Sequence, residues 1–187
     1  MNFTGTAAGS GDTWITVYDT TPADDTVKDL FGSVSLTADV LLHTYNNKKG
    51  AGLLALFNED ANKKGLALLI YDSGNSDSLA LGTVNKAAGT FTALKTISLG
   101  GAIVENAWYR LTMDVAVSGS NVTVTGKLFQ HATPTDPDSA PGAQIGNTLT
   151  FSGARPAGVD AAGEIGMAAS AAATMVDSSI ANFTIHP

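Results

Sequence analysis

Trp108-Tyr109-Arg110-Leu111-Thr112-Met113-Asp114-Val115-Ala116-Val117, then Ser118-Gly119-Ser120-Asn121, then Val122-Thr123-Val124-Thr125-Gly126, is the stretch on which the fold turns. In the first run Tyr109, Leu111, Met113, Val115 and Val117 hold alternate positions. Trp108, Arg110, Thr112, Asp114 and Ala116 hold the positions between them. Successive side chains of a strand point to opposite faces, so this spacing predicts a strand with one apolar, core-facing side. The four small polar residues that follow, and the shorter alternation after them, predict a hairpin with Val122–Phe129 as the returning strand.

The same period recurs on both sides of the hairpin. In Ser33–Thr44, Val34, Leu36, Ala38, Val40 and Leu42 share one face, and Ser35, Thr37, Asp39, Leu41 and His43 share the other. Ala51–Phe57 and Leu66–Tyr71 are apolar at every position, which suits central strands covered on both faces. Asn58–Gly65 joins them as a polar loop. Thr13–Tyr18, Leu79–Val84, Thr90–Leu99, Gln144–Phe151, Glu164–Ala168 and Ser179–Ile185 supply further strands. Pro22–Leu30, Tyr45–Gly50, Asp72–Asp77 and Ala154–Ala161 read as loops or turns, and the prolines of His131–Gly142 make a long loop there. About eleven strands with scarcely a helix signal predict two packed antiparallel sheets. No linker and no fixed-period repeat divides the 187 residues, so a single domain spanning 1–187 is expected.

Three ordered segments carry a resemblance. The first is Ala51-Gly-Leu-Leu-Ala-Leu-Phe with Gly65-Leu-Ala-Leu-Leu-Ile-Tyr. The second is the Trp108 hairpin. The third is Gly163-Glu-Ile-Gly-Met-Ala-Ala with Ser179-Ile-Ala-Asn-Phe-Thr-Ile. Together they resemble the concanavalin A-like lectin/glucanase (laminin G-like) group over roughly residues 33–185. That resemblance implies an all-β jelly-roll sandwich, with glycan or substrate on the concave sheet or its rim loops. It also implies a structural calcium near the two termini. The chain has Ile180-Ala181-Asn182-Phe183 where the group often has Phe-Asp-Asn-Phe, and the missing Asp weakens the case for a metal site there. Asp177, with Asp12 and Asp29, could supply carboxylates instead, since calcium takes about six to eight oxygens. The competing reading of these acids is solvated turns.

Hydrophobic residues make up 44% of the chain and charged residues 14%, with a formal net charge of -7. The apolar content excludes disorder, and no apolar run approaches the ~18 residues of a membrane span. Ten scattered Lys and Arg residues form no basic face for phosphate, which argues against nucleic-acid binding. There is no cysteine, so disulfides, thiolate metal sites and cysteine nucleophiles are excluded. No signal peptide opens this chain; the acidity and the resemblance suit an extracellular or surface-displayed bacterial protein. Asn2-Phe-Thr, Asn121-Val-Thr and Asn182-Phe-Thr match the glycosylation acceptor pattern, which also arises by chance in Thr-rich strands.

Hydrolases of this fold need two carboxyls roughly 5–9 Å apart. The glutamates are Glu59, Glu105 and Glu164, and no Glu-x-Asp-x-x-Glu run exists. The histidines His43, His131 and His186 lack metal-ligand spacing. The expectation is therefore a non-catalytic carbohydrate-binding or adhesive domain whose partner is a glycan or polysaccharide. A structural, self-associating domain is an alternative, favoured by small residues such as Ala169–Ala173. A hydrolase or lyase with an atypical site is another. Trp108, Arg110 and Asp114 share a face on which an indole could stack a sugar and charged groups could bind hydroxyls. Tyr45, Asn58 and Tyr71, in or beside polar loops, complete the candidate ligand set. The plainer alternative makes Trp108 edge packing, Arg110–Asp114 a surface ion pair, and the loop residues ordinary turn chemistry. Trp14, Thr16 and Tyr18 form a further candidate strip.

Overall fold

The computed structural model describes residues 3–6, 13–17, 31–44, 49–59, 62–72, 76–171 and 177–186. Its strands, in chain order, are β1 (Phe3–Thr6), β2 (Thr13–Val17), β3 (Val34–Thr44), β4 (Lys49–Asn58), β5 (Lys64–Asp72), β6 (Asp77–Asn85), β7 (Thr90–Ser98), β8 (Trp108–Ser118), β9 (Asn121–His131), β10 (Pro141–Gln144), β11 (Leu149–Ala154), β12 (Glu164–Ala171) and β13 (Asp177–His186). A seven-stranded sheet runs β1-β13-β3-β8-β9-β10, with β11 also paired to β9. A six-stranded sheet runs β2-β12-β4-β5-β6-β7. The pairings are antiparallel, and strands distant in sequence are neighbours, as β13 with β3 and β12 with β4. This is the all-β two-sheet jelly-roll sandwich that the resemblance implied.

The alternation in β8 is realised residue by residue. Tyr109, Leu111, Met113 and Val115 are buried, while Asp114 and Ala116 on the alternate positions are exposed. Val34, Leu36, Ala38, Val40 and Leu42 of β3 face the same core. Leu53 of β4 and Leu66, Leu68 and Ile70 of β5 meet them from the six-stranded sheet. The two layers interdigitate closely enough that a Cβ on Gly126 of β9 would lie 2.7 Å from the Leu68 side chain. Only glycine leaves room there for a leucine from the other sheet.

β4 and β5 are apolar on both faces for a second reason. Leu54, Phe57, Ala67, Leu69, Val84 and Ala168 form a separate buried cluster on the outward face of the six-stranded sheet. Leu56, at φ 54°, marks a bulge that lets Leu56 face the inner core and Phe57 the outer cluster.

Three sequence expectations shift. Gln144–Phe151 is not one strand: β10 and β11 are separated by a bend at Gly146, whose φ of 67° suits glycine. The Gln144 amide donates to the Gly146 carbonyl at 3.1 Å and holds that bend. The long loop is shorter than His131–Gly142, because His131 ends β9 and Pro141 opens β10 at a sheet edge, where proline costs no ladder bond. The β4–β5 loop shrinks likewise, since pairing continues to Asn58 and Lys64. Pro22–Leu30 and Tyr18 lie outside the described residues, as do the Trp14 and Thr16 side chains.

Candidate functional site

The two outward faces treat their polar residues differently. On the seven-stranded sheet, Asp39 of β3 stands opposite Arg110 of β8. The Arg110 Nε donates to Asp39 Oδ1 at 2.8 Å and its Nη2 to Oδ2 at 2.8 Å. His131 Nε2 donates to Oδ1 at 2.8 Å, and the Asn182 amide donates to Oδ2 at 2.9 Å. Asp39 is fully buried and His131 nearly so, although both sit on an outward face. Burial by itself would raise the Asp39 pKa, but the hydrogen bonds from Arg110, Asn182 and His131 outweigh it and hold the carboxyl below its ordinary value.

Segment 132–140 lies over this cluster. The Trp108 amide donates to the Pro134 carbonyl at 2.7 Å, and the Asn182 amide donates to the Pro137 carbonyl at 2.9 Å. Asn182 adopts φ 50°, a left-handed conformation that Asn tolerates, where β13 shifts register against β3. Arg110 is thus committed to Asp39 and not to Asp114, which stays exposed between Ser35 and Thr125. Trp108 is half-buried beside the covering segment.

On the six-stranded sheet the register brings Tyr71, Ser78 and Ser98 into one row across β5, β6 and β7. Around them lies a groove of about 300 Å³ lined by Tyr71, Ser76, Asp77, Ser78, Phe91, Ala93, Thr96 and Ser98. The Tyr71 and Phe91 rings are tilted against each other at 41°, with centroids 5.5 Å apart. Both rings depend on glycines. A Cβ on Gly50 would lie 2.8 Å from the Tyr71 ring, and one on Gly82 would lie 2.6 Å from the Phe91 ring. The rings therefore rest against bare backbone. The Ser78 hydroxyl donates to the Tyr71 carbonyl at 2.9 Å, and Asp77 Oδ2 accepts from the Ile103 amide at 3.1 Å. Ser76, Thr96 and Ser98 are exposed. The groove lies at the small end of ligand sites and joins apolar ring surface to clustered hydroxyls.

Of the six candidate ligand residues, the groove contains Tyr71. Asn58, at the end of β4, donates through its amide to the Asp160 carboxylate and braces the loop before β12. Tyr45, Asp12 and Asp29 lie outside the described residues. Asp177 opens β13 opposite Thr6 and Thr44, and its side chain lies outside them too. Among the described residues no three His, Asp or Glu side chains gather closely enough to hold a metal ion. Glu164 is buried and accepts from the Glu59 amide at 3.1 Å, Glu59 pairs with Lys86 at 2.8 Å, and Glu105 is exposed in the turn before β8. Ala169, from the small-residue run expected to pack between copies, packs against this chain's own core. The sequence reading passed over Phe91, Ser78, Thr96 and Ser98. Their signal was outward-facing Ser78, Ala80 and Gly82 on β6, small residues on which an aromatic could rest.

No protein-family model matches the chain, and no curated protein matches it. Among solved structures, the chain is similar to a carbohydrate-binding module from Bacillus subtilis, at 13% identity and a TM-score of 0.49, over 85% of this chain and 78% of that one. It is similar to a seed lectin of Lotus tetragonolobus at 12% identity and a TM-score of 0.48, over 94% of this chain and 83% of that one. A module of the evolved Dit of Lactobacillus casei phage J-1 gives 9% identity and a TM-score of 0.46, over 92% and 66%. At these identities the likeness is one of shape.

Proposed function

We propose that this chain is a non-catalytic carbohydrate-binding domain of a surface-displayed or secreted bacterial protein, and that its glycan lies in the β5–β6–β7 groove. One observation carries this reading: the Tyr71–Phe91 pair rimmed by the hydroxyl residues Ser76, Ser78, Thr96 and Ser98. A pyranose presents apolar CH groups on its faces and hydroxyls around its edge. Aromatic rings bury the former, and serine and threonine hydroxyls, each donor and acceptor, match the latter. The polar cluster around Asp39 is a weaker candidate, because Asp39 and His131 are buried and segment 132–140 bonds to Trp108 and Asn182 beside them.

Affinity electrophoresis against a polysaccharide panel, followed by calorimetry on the polymers retained, tests the reading. Tyr71→Ala and Phe91→Ala are each expected to weaken binding at least about tenfold, or ~1.4 kcal/mol. Binding that survives both substitutions would place the site elsewhere, and retention of no polymer would reject the reading. The assay is run with calcium and with EDTA, so that an ion held by Asp12, Asp29 and Asp177 shows itself as calcium-dependent affinity.

A further inference from the structure

The groove's charge says which glycans it takes. We infer that it selects neutral glycans and discriminates against uronate- or sulfate-bearing ones, an inference that rests on the groove being the glycan site. Among the described residues that line it, Asp77 is the one acidic residue, and none is Lys, Arg or His. Anionic sugars are ordinarily held by cations, above all by arginine forks that match carboxylate and sulfate geometry. Several cations elsewhere among the described residues are turned to other work. Lys95 of β7 stands opposite Leu81, which faces the inner core, and its Nζ donates to the Thr150 carbonyl of β11 at 2.6 Å. Lys86 pairs with Glu59 at 2.8 Å. The Lys64 side chain packs where a Cβ on Gly158 would lie, 2.9 Å from its Cδ. Arg110 is closed on Asp39.

The register adds one more acidic residue beside Asp77, since Asp72 ends β5 opposite it. The net charge of -7 adds a long-range repulsion that salt screens over a Debye length of roughly 8–10 Å. A neutral polymer feels none of this, so its affinity follows ring stacking and hydroxyl bonding alone.

The test sets barley β-glucan and galactomannan against polygalacturonate and alginate, using the whole chain, in about 0.05 M and about 0.5 M NaCl. The expected result is binding of a neutral polymer that changes less than about twofold with salt, with anionic polymers at least about tenfold weaker at low salt. An anionic polymer that binds as tightly as the neutral ones overturns the inference and leaves carbohydrate binding standing. Failure of every polymer overturns both. Thr96→Lys supplies the converse: Thr96 is exposed, so the variant folds, and it adds a cation to the rim. Polygalacturonate binding is expected to rise at least about fivefold at low salt and to lose that gain at high salt. No gain would overturn the assignment of selectivity to this groove.

Discussion

The outward face of the seven-stranded sheet and that of the six-stranded sheet solve opposite problems with the same scaffold. The first carries the stronger charges of the pair, yet they are consumed internally: one buried carboxylate takes hydrogen bonds from Arg110, His131 and Asn182 beneath segment 132–140. The second is mostly a buried apolar cluster, and Asp77 and a set of hydroxyls line a groove on it, with Ser76, Thr96 and Ser98 exposed there. A concentration of charged residues is thus no guide to a binding site by itself. What matters is whether the fold covers those groups or leaves them open to solvent, as it does Ser76, Thr96 and Ser98.

Breaking the Asp39 cluster should produce the largest change. Arg110→Ala leaves Asp39 buried with its principal charge partner gone, an injury of about 3 kcal/mol; the low end of the usual range applies because the arginine side chain is 25% exposed. Urea unfolding should show that loss, while glycan affinity of the folded protein stays unchanged. A fall in both together would mean the two faces are coupled. Gly82→Val attacks the other face. Its Cβ would meet the Thr92 carbonyl at 2.4 Å and the Phe91 ring at 2.6 Å, so a destabilisation of about 2 kcal/mol should accompany loss of glycan binding.

Acid should sharpen the contrast more gently. The folded pKa of Asp39 lies below its unfolded value, so its contribution is fully present above about pH 4 and disappears as pH falls through the folded value. Urea midpoints between about pH 3 and pH 7 should therefore decline in the native protein. They should decline less steeply in Asp39→Asn, where that carboxyl no longer titrates. Equal slopes would remove the cluster from the account of acid stability. The smallest effect belongs to Asp114→Ala. Exposed and outside the groove, it should shift stability by less than about 0.5 kcal/mol and leave glycan affinity unaltered.

Much of the fold was legible because alternation is a local property. Tyr109, Leu111 and Met113 declared their face by spacing alone, and so did Leu36, Ala38 and Val40. Asp39 and Arg110 were each readable as outward-facing, but their union depends on the β3–β8 register, which joins residues 71 positions apart. The groove was less legible still. Tyr71, Ser78 and Ser98 come together only when β5, β6 and β7 align, and Phe91 reaches Tyr71 over a glycine whose importance no local pattern announces. The interruption at Gly146 was hidden for a simpler reason: one glycine inside an otherwise extended run does not reveal its φ.

The register shift in β7, where Lys95 pairs with Leu81 but Ala93 with Gly82, leaves Leu94 as an extra residue on the outermost strand of its sheet. An outermost strand offers a row of unsatisfied amides and carbonyls to any copy that drifts alongside. The extra residue breaks that row in the middle, and a lysine beside it adds repulsion between like edges. Ribbon-like stacking of copies through this edge is the contact that such an interruption works against.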